Sequence, residues 1–81
     1  MTIRVRLFAI ARQLGGGDTI DLELPAGATI AGLREELAAR VPALAALASH
    51  LLFAVNQEYA PDTMPIPADA EVACIPPVSG G

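Results

Sequence analysis

Strict alternation of apolar and polar side chains near the start of the chain is the feature that most constrains the fold. In residues 2–8, TIRVRLF, three aliphatic side chains share one face: Ile3, Val5 and Leu7. Phe8 falls on the opposite face, together with two arginines. A period of two predicts a half-buried strand. Because such a strand buries one face, the chain must form a sheet with a layer packed against it.

A second alternating segment follows a glycine-rich turn. Residues 19–24 place three aliphatic side chains on one face, and Pro25 ends the pattern; these are Ile20, Leu22 and Leu24. The intervening residues contain AIARQL, which predicts a short helical turn, and then Gly15–Gly17. The two strands are therefore predicted to pair as an antiparallel hairpin, with a connection longer than the tightest turns.

One segment has the spacing of a helix. Thr29 is a suitable N-cap, Pro42 closes the segment, and the apolar positions between them recur at helical spacing: Ile30, Leu33, Leu37 and Val41. With the two strands described above, these side chains supply most of the predicted core, which also includes Val72. Residues 43–52, rich in alanine and leucine, predict a further turn or a packed connection.

The remaining residues predict short strands and a loop. Residues 51–60 indicate a strand, a turn at Asn56 and Gln57, and a return strand, whereas three prolines in residues 61–70 exclude a central strand there. Val72–Ile75 forms the last strand. One helix can cover one mixed sheet if the first and last strands are parallel neighbours joined by a right-handed crossover. The predicted class is α+β, with a domain over residues 1–75 and a flexible tail over residues 76–81.

Composition narrows the possible functions. The chain has 81 residues, which suits a single small domain, and 53% of them are hydrophobic, which favours a folded core. Its net charge of −4 argues against nucleic acid or an anionic membrane as a partner. No apolar run is long enough for a membrane helix, and the opening residues lack the plan of a signal peptide. A cytoplasmic location is therefore expected.

The sequence lacks the residues that several kinds of reaction and site require. All five cationic side chains are arginines, so there is no lysine for a Schiff base or a phosphate-binding loop. The single cysteine, Cys74, excludes an internal disulfide and a cysteine-rich metal site, and it is expected to pack in the last strand. The single histidine, His50, has no evident catalytic partner. We predict neither a metal site nor a tightly bound cofactor.

The final residues, PPVSGG, draw attention to the terminal carboxylate. Gly80 and Gly81 have no β-carbon, so they can enter a narrow channel, and Pro76 and Pro77 fix the direction in which the chain leaves the domain. Val78 and Ser79 form a short spacer. One interpretation is a frayed end, because chain termini are usually mobile. The other is that the carboxylate of Gly81 is the reactive group of the molecule.

The residues favour the second interpretation through a resemblance to a known family. EVACIPPVSGG, together with AVNQEYA and VRLFAIARQLGG, resembles the MoaD family of ubiquitin-like sulfur carriers, the small subunits of molybdopterin synthase. The resemblance covers essentially the whole chain and implies a β-grasp fold. The chain departs from the family pattern at residues 68–72, where a glycine-aspartate turn is common, and at Cys74 and Ile75, where aromatic residues are common.

The resemblance also implies a chemical role. Gly81 would be adenylated by a ubiquitin-activating-like adenylyltransferase that uses ATP, and a sulfur donor protein would convert it to a thiocarboxylate. Residues 76–80 (Pro76, Pro77, Val78, Ser79 and Gly80) would then enter a channel in the large synthase subunit. There the sulfur would pass to a cyclic pterin monophosphate to build a dithiolene. The synthase would be a heterotetramer with its active-site pocket on the large subunit, so the small subunit would not be catalytic alone.

Two residues are candidates for contact with the large subunit. Ile75 directly precedes the tail, and Phe8 lies on the arginine face of the first strand. An exposed aromatic side chain near the tail would mark a partner surface, whereas a buried one would close an edge of the core. The sequence leaves this choice open.

Three other functions remain open on the sequence alone. A sulfur carrier of the thiamin pathway would share the fold and the two terminal glycines. A ubiquitin-like modifier would use the same carboxylate to form bonds with lysines of other proteins. A plain interaction domain would carry an inert tail.

Overall fold

The computed structural model describes residues 1–77 of the chain. It consists, in chain order, of β1 (Thr2–Leu7), α1 (Ala9–Gly15), β2 (Thr19–Glu23), α2 (Ile30–Arg40), a 3₁₀-helix (Pro42–His50), β3 (Leu52–Val55), β4 (Glu58–Tyr59) and β5 (Val72–Ile75). The strands form one five-stranded sheet in the order β2-β1-β5-β3-β4. The predicted α+β class, with one main helix against a mixed sheet, is confirmed.

The first and last strands lie side by side at the centre of the sheet. β1 pairs in parallel with β5, with Val5 opposite Val72, and antiparallel with β2. β3 pairs antiparallel with β5 on its other side. The parallel central pair predicted from the connection rules is therefore present, and β5 is paired with β1 up to Cys74 and with β3 up to Ile75.

The predicted helical turn after β1 is a complete short helix, α1, which lies inside the hairpin connection. Gly15 closes it, and a β-carbon there would come within 2.6 Å of Leu7 Cδ1, so a larger residue would force the Leu7 side chain to shift. Gly16 follows with φ 78°, in the left-handed region where glycine is favoured. The glycine run thus ends a helix and turns the chain into β2.

α2 covers the inner face of the sheet as its spacing predicts. Thr29 Oγ1 accepts a hydrogen bond from the Gly32 backbone N–H at 3.4 Å, which confirms Thr29 as the N-cap. The predicted core positions are buried at the interface with the sheet: Ile3, Val5, Leu7, Leu22, Leu33, Leu37 and Val72. Ile20, on the edge strand β2, is only half-buried and packs against the core from one side.

An arginine that the sequence reasoning did not single out ties together the segments around β3. Arg34, on α2, donates to the carbonyl oxygens of Ala48 and Leu51, each at 2.6 Å, and to Asp62 Oδ1 at 2.7 Å. Its guanidinium also lies 5.0 Å from the ring centroid of Phe53. A planar guanidinium with several donors suits such a set of acceptors. These bonds fix the position at which β3 enters the sheet.

Packing continues slightly past the predicted end of the domain. Pro76 is buried and Pro77 is exposed, so the packed part of the chain includes one residue beyond Ile75. The predicted tail residues Val78, Ser79, Gly80 and Gly81 lie outside the described residues. Within residues 1–77, no helix combines the length and apolar character needed to cross a membrane.

Candidate partner surface and tail exit

The outer face of the sheet, opposite α2, carries a row of side chains that the strand register aligns. Arg6 on β1 is opposite Ala73 on β5, which is opposite Ala54 on β3, which in turn is opposite Tyr59 on β4. The row is therefore low in its middle, where both residues are alanine, and high at its two ends. Tyr59 is 71% exposed.

A second, more apolar row lies next to the first. Ile75 is opposite Leu52 in the β3–β5 pair, and Phe8 follows the last residue of β1. The Phe8 backbone N–H donates to the Cys74 carbonyl at 3.3 Å, which continues the β1–β5 pairing by one step and sets Phe8 beside Ile75. Phe8 is 41% exposed and Leu52 is 50% exposed. The two rows together form the sheet face, which consists of Arg6, Phe8, Leu52, Ala54, Tyr59, Ala73 and Ile75.

A depression of about 320 Å³ lies over the two alanines of the sheet face. On one side, Arg6 forms an ion pair with Glu71 at 3.2 Å, and its guanidinium lies 5.4 Å from the ring centroid of Phe8. Both members of the ion pair are more than half exposed, so it contributes little to stability. It does hold Arg6 at the rim, which leaves an apolar floor with a polar border. This is the usual arrangement of a protein-binding patch.

A second concavity, the tail groove, begins where the chain leaves β5. It has a volume of about 670 Å³ and is almost entirely apolar; its lining is Phe8, Ala9, Ile10, Leu47, Ile75, Pro76 and Pro77. Phe8 and Ile75 belong to both the sheet face and the tail groove, so they form the ridge between them.

The structure brings the predicted residues together as far as it describes them. Phe8 and Ile75 are neighbours across the β1–β5 pair, and Pro76 and Pro77 continue directly from them. Phe8 is 41% exposed, so it is not a buried side chain at an edge of the core, and its contact with a partner stays a prediction. Val78, Ser79, Gly80 and Gly81 lie outside the described residues. The channel-entry role of residues 76–80 and the carrier role of Gly81 stay predictions.

Comparison with known proteins shows the family to which this chain belongs. Residues 5–81 match the ThiS family. The molybdopterin synthase sulfur carrier subunit of Arabidopsis thaliana is 39% identical over 98% of this chain and 82% of its own length. The subunit of the same name from Chlamydomonas reinhardtii is 39% identical over the whole of both chains. This chain belongs to the ThiS family. Its resemblance to the small subunits of molybdopterin synthase is confirmed over the full length.

Solved structures agree with this ThiS family assignment. SAMP1 from Haloferax volcanii superposes with a TM-score of 0.85 at 27% identity over all of both chains. A candidate molybdopterin converting factor subunit 1 from Pyrococcus furiosus gives a TM-score of 0.85 at 29% identity, covering 96% of this chain and 99% of its own. The ubiquitin-like β-grasp fold is thereby confirmed. A complex of subunits 1 and 2 of molybdopterin-converting factor from Helicobacter pylori shares the fold, with a TM-score of 0.68 at 18% identity over all of both chains.

Sequence reasoning missed several residues of these two surfaces. Leu52 lies on the outer face because Phe53 and Val55 point inward, so the alternation within β3 is a signal for it. Tyr59 and Ile10 gave no comparable signal. Tyr59 is placed by the register of the short β3–β4 hairpin, whereas Ile10 is placed by the packing of α1 against the 3₁₀-helix, which is distant in sequence.

Cys74 is buried and chemically quiet in this member of the ThiS family. It lies on the inner side of β5 opposite Phe53, and burial raises the pKa of its thiol to about 11, although the positive charge of Arg34 opposes the shift. Because the thiolate is the nucleophilic form of cysteine, a thiol that stays protonated at neutral pH is unreactive. The predicted packing role of Cys74 is confirmed.

We expect Cys74→Ala to retain full sulfur loading. The substitution removes the only thiol and leaves a small buried gap, so the free energy of unfolding should fall by about 1 kcal/mol while chemistry at the chain end is unchanged. The measurement is the intact mass of the variant after incubation with ATP, activating enzyme and sulfur donor. A variant that folds but no longer gains sulfur would mean that Cys74 takes part in the transfer.

Proposed function

We propose that the chain is the sulfur carrier subunit of a molybdopterin synthase and that the carboxylate of Gly81 carries the sulfur. The observation that supports this most strongly is its 39% identity to molybdopterin synthase sulfur carrier subunits over essentially its whole length. The PPVSGG ending extends that likeness to the residues on which the chemistry depends. The sheet face and tail groove beside those residues are consistent with delivery of the tail to a larger protein.

The tail needs activation because a carboxylate is a poor electrophile. In the proposed cycle, a carboxylate oxygen of Gly81 attacks the α-phosphorus of ATP on an activating enzyme, and pyrophosphate leaves. The terminal sulfur of a persulfide donor then attacks the carbonyl carbon and AMP leaves, which gives an acyl disulfide between Gly81 and the donor. A thiol attacks the donor's sulfur, the S–S bond breaks, the donor and the thiol are left as a disulfide, and the thiocarboxylate is released. The charged tail enters the large subunit and gives its sulfur to a cyclic pterin monophosphate. The carrier returns as a carboxylate for another round.

The role of the folded domain is to aim the tail. β5 is paired with β1 as far as Cys74 and with β3 as far as Ile75, so the direction in which the chain leaves the sheet is set by two strand pairings. Pro76 is buried against the domain and restricts the backbone at the point of exit. Restricting the chain before it binds lowers the entropy lost when a channel orders the rest of the tail.

The sheet face and the ridge of the tail groove would dock the large subunit. Their apolar centre, formed by Phe8, Leu52 and Ile75, would be covered on association, and the border at Arg6 and Glu71 would supply polar contacts. The carrier has a net charge of −4, so a large subunit with a cationic rim would be attracted to it. The pocket for the pterin would lie on the large subunit, which matches a carrier that is not catalytic by itself.

Phe8→Asp is expected to weaken the complex with the large subunit at least about tenfold. Aromatic side chains near the centre of an interface commonly account for 2 kcal/mol or more of binding, and a buried unpaired carboxylate adds a desolvation cost. The variant should remain folded because Phe8 is on the surface. The measurement is the dissociation constant from titration calorimetry with the purified large subunit.

Ala39→Asp is the matched control for that experiment. Ala39 is exposed on α2, on the side of the domain away from the sheet face, so it introduces the same charge without touching either surface. Its affinity should equal that of the unmodified chain. If Phe8→Asp bound as tightly as Ala39→Asp, the sheet face would not be the docking surface.

The experiment that tests the proposed function is a reconstitution. The chain is incubated with ATP, an activating enzyme and a persulfide donor, and then with the large subunit loaded with cyclic pterin monophosphate. The proposal requires a mass gain equal to exchange of one oxygen for sulfur, followed by formation of the dithiolene product and loss of that gain. A chain that gains sulfur but transfers it only to a thiazole precursor would instead be a thiamin-pathway carrier.

A second candidate function is attachment to other proteins as a modifier. It is favoured by the similarity to SAMP1 from Haloferax volcanii, a small archaeal modifier protein, at 27% identity over both full chains. The same activated carboxyl group would then acylate lysine side chains. Cell lysate probed for the chain would contain species of higher mass that disappear when Gly81 is deleted. Their absence under conditions that charge the tail with sulfur would remove this candidate.

A further inference from the structure

The amines of this chain decide whether one copy can be acylated by the activated carboxyl group of another copy. Its five cationic side chains are all arginines, and there is no lysine: Arg4, Arg6, Arg12, Arg34 and Arg40. A guanidinium stays protonated at every pH that a protein meets, so it has no lone pair available for attack on an acyl group. Lysine, by contrast, supplies the amine that acyl-adenylates and related esters acylate.

The primary amine that the structure describes is the α-amino group of Met1, and its polar contacts are made within the fold. Met1 N donates to the Leu24 carbonyl oxygen at 2.6 Å and lies 3.9 Å from a carboxylate oxygen of Glu23. The Leu24 backbone N–H in turn donates to the Met1 carbonyl oxygen at 2.9 Å. Met1 is only 17% exposed and packs against the core. The amine is thus part of the β1–β2 pairing.

We infer that this chain is built to act as an acyl donor and to be a very poor acyl acceptor, because its 81 residues include no lysine and the Met1 amine is held in the sheet. The inference rests on the proposed function, since it presupposes adenylation of Gly81. In the reaction that is avoided, an amine nitrogen attacks the carbonyl carbon of the adenylate, a C–N bond forms, the C–O bond to phosphate breaks and AMP leaves. The ammonium must first lose a proton to solvent. For Met1 this would also break the hydrogen bond to Leu24.

Two consequences follow for the proposed cycle. A carrier present at high concentration around its activating enzyme would not become joined to other copies of itself, so activated chains are kept for attack by sulfur. If the chain is also attached to other proteins, each attachment would be a single unit, because an attached copy offers no side-chain amine for the next one. The acceptor chemistry is therefore a persulfide sulfur or a lysine supplied by a different protein.

The test restores one lysine at an exposed place. Arg40 is exposed at the end of α2, and Arg40→Lys keeps the charge and the helix preference. Arg40→Gln is the matched control, because it removes the guanidinium at the same position without adding an amine. Each chain is incubated with activating enzyme and ATP but no sulfur donor, and intact mass is read for a species equal to two chains less one water. Added free lysine serves as a probe for amine attack on the adenylate.

The expected result is a joined species with Arg40→Lys and none with the unmodified chain or Arg40→Gln. Peptide mapping should place the new bond between Gly81 and Lys at position 40. Joining of the unmodified chain through Met1 would overturn the inference. So would failure of Arg40→Lys to join when free lysine is acylated, since scarcity of amines would then not be what limits the reaction. The proposed function is read separately, from release of pyrophosphate and from sulfur gain when the donor is added.

Discussion

Deletion of Gly81 is expected to abolish sulfur loading while leaving the domain folded. The deletion moves the carboxylate back by one residue, about 3.3–3.6 Å along an extended chain. A displacement of that size is large compared with the roughly 1 Å that a reacting geometry tolerates. The buried core lies within residues 3–74, so its packing does not depend on the last residue. The measurement is intact mass after incubation with ATP, activating enzyme and sulfur donor.

Two controls show whether charging depends on the position of the terminal carboxylate or on the residues of the tail. Ser79→Ala keeps the length of the tail and should be charged normally, whereas one extra residue appended after Gly81 should block charging because it places the reactive carbon inside a peptide bond. The thermal midpoint of all three variants should equal that of the unmodified chain. Full sulfur transfer by the chain that lacks Gly81 would show that the terminal glycine is not the carrier.

Leu37→Ala is expected to cause a large loss of stability. The Leu37 side chain has no exposed surface and packs between the helix and the sheet. Truncation of a fully buried leucine costs about 2–5 kcal/mol, which combines the lost transfer free energy with the cavity that remains. Small domains have a total stability of only about 5–15 kcal/mol, so the loss is a large fraction of the whole.

The measurement is urea unfolding followed by circular dichroism, with Leu52→Ala as the matched control. Leu52 is half exposed on the sheet face, so the same chemical change there should cost only about 0.5 kcal/mol. Thermal unfolding gives a second reading, with a fall of about 4–8 °C for each kcal/mol in a domain of this size. Equal midpoints for the two variants would contradict the helix register described above.

Much of the fold could be predicted because its elements have clear local signals. Burial is predicted by periodicity, from the alternation in β1 and β2 and the helical spacing of Leu33 and Leu37. The start of α2 is predicted by the N-cap at Thr29. The parallel β1–β5 pair followed from the need to cover one sheet with one helix. These inferences use properties of short segments and general rules of connection.

The two surfaces were harder to predict because they depend on contacts between distant segments. The low centre of the sheet face exists because Ala73 is opposite Ala54, and neither residue is distinctive in the sequence. The tail groove requires Ile10 on α1 to lie near Leu47 on the 3₁₀-helix, 37 positions later. Phe8 was identified as an outward residue from alternation, but its exposure depends on what lies beside it in the folded chain.

The measurement that tests the central claim most directly is the intact mass of the protein purified from its own cells under conditions in which sulfur is supplied. The account predicts a fraction of chains heavier by the exchange of one oxygen for sulfur, with fragmentation placing the change at Gly81. That fraction should fall when the activating enzyme is removed and rise when the large subunit is removed. A mass that stays equal to that of the unmodified carboxylate under all three conditions would contradict the role of Gly81 as a sulfur carrier.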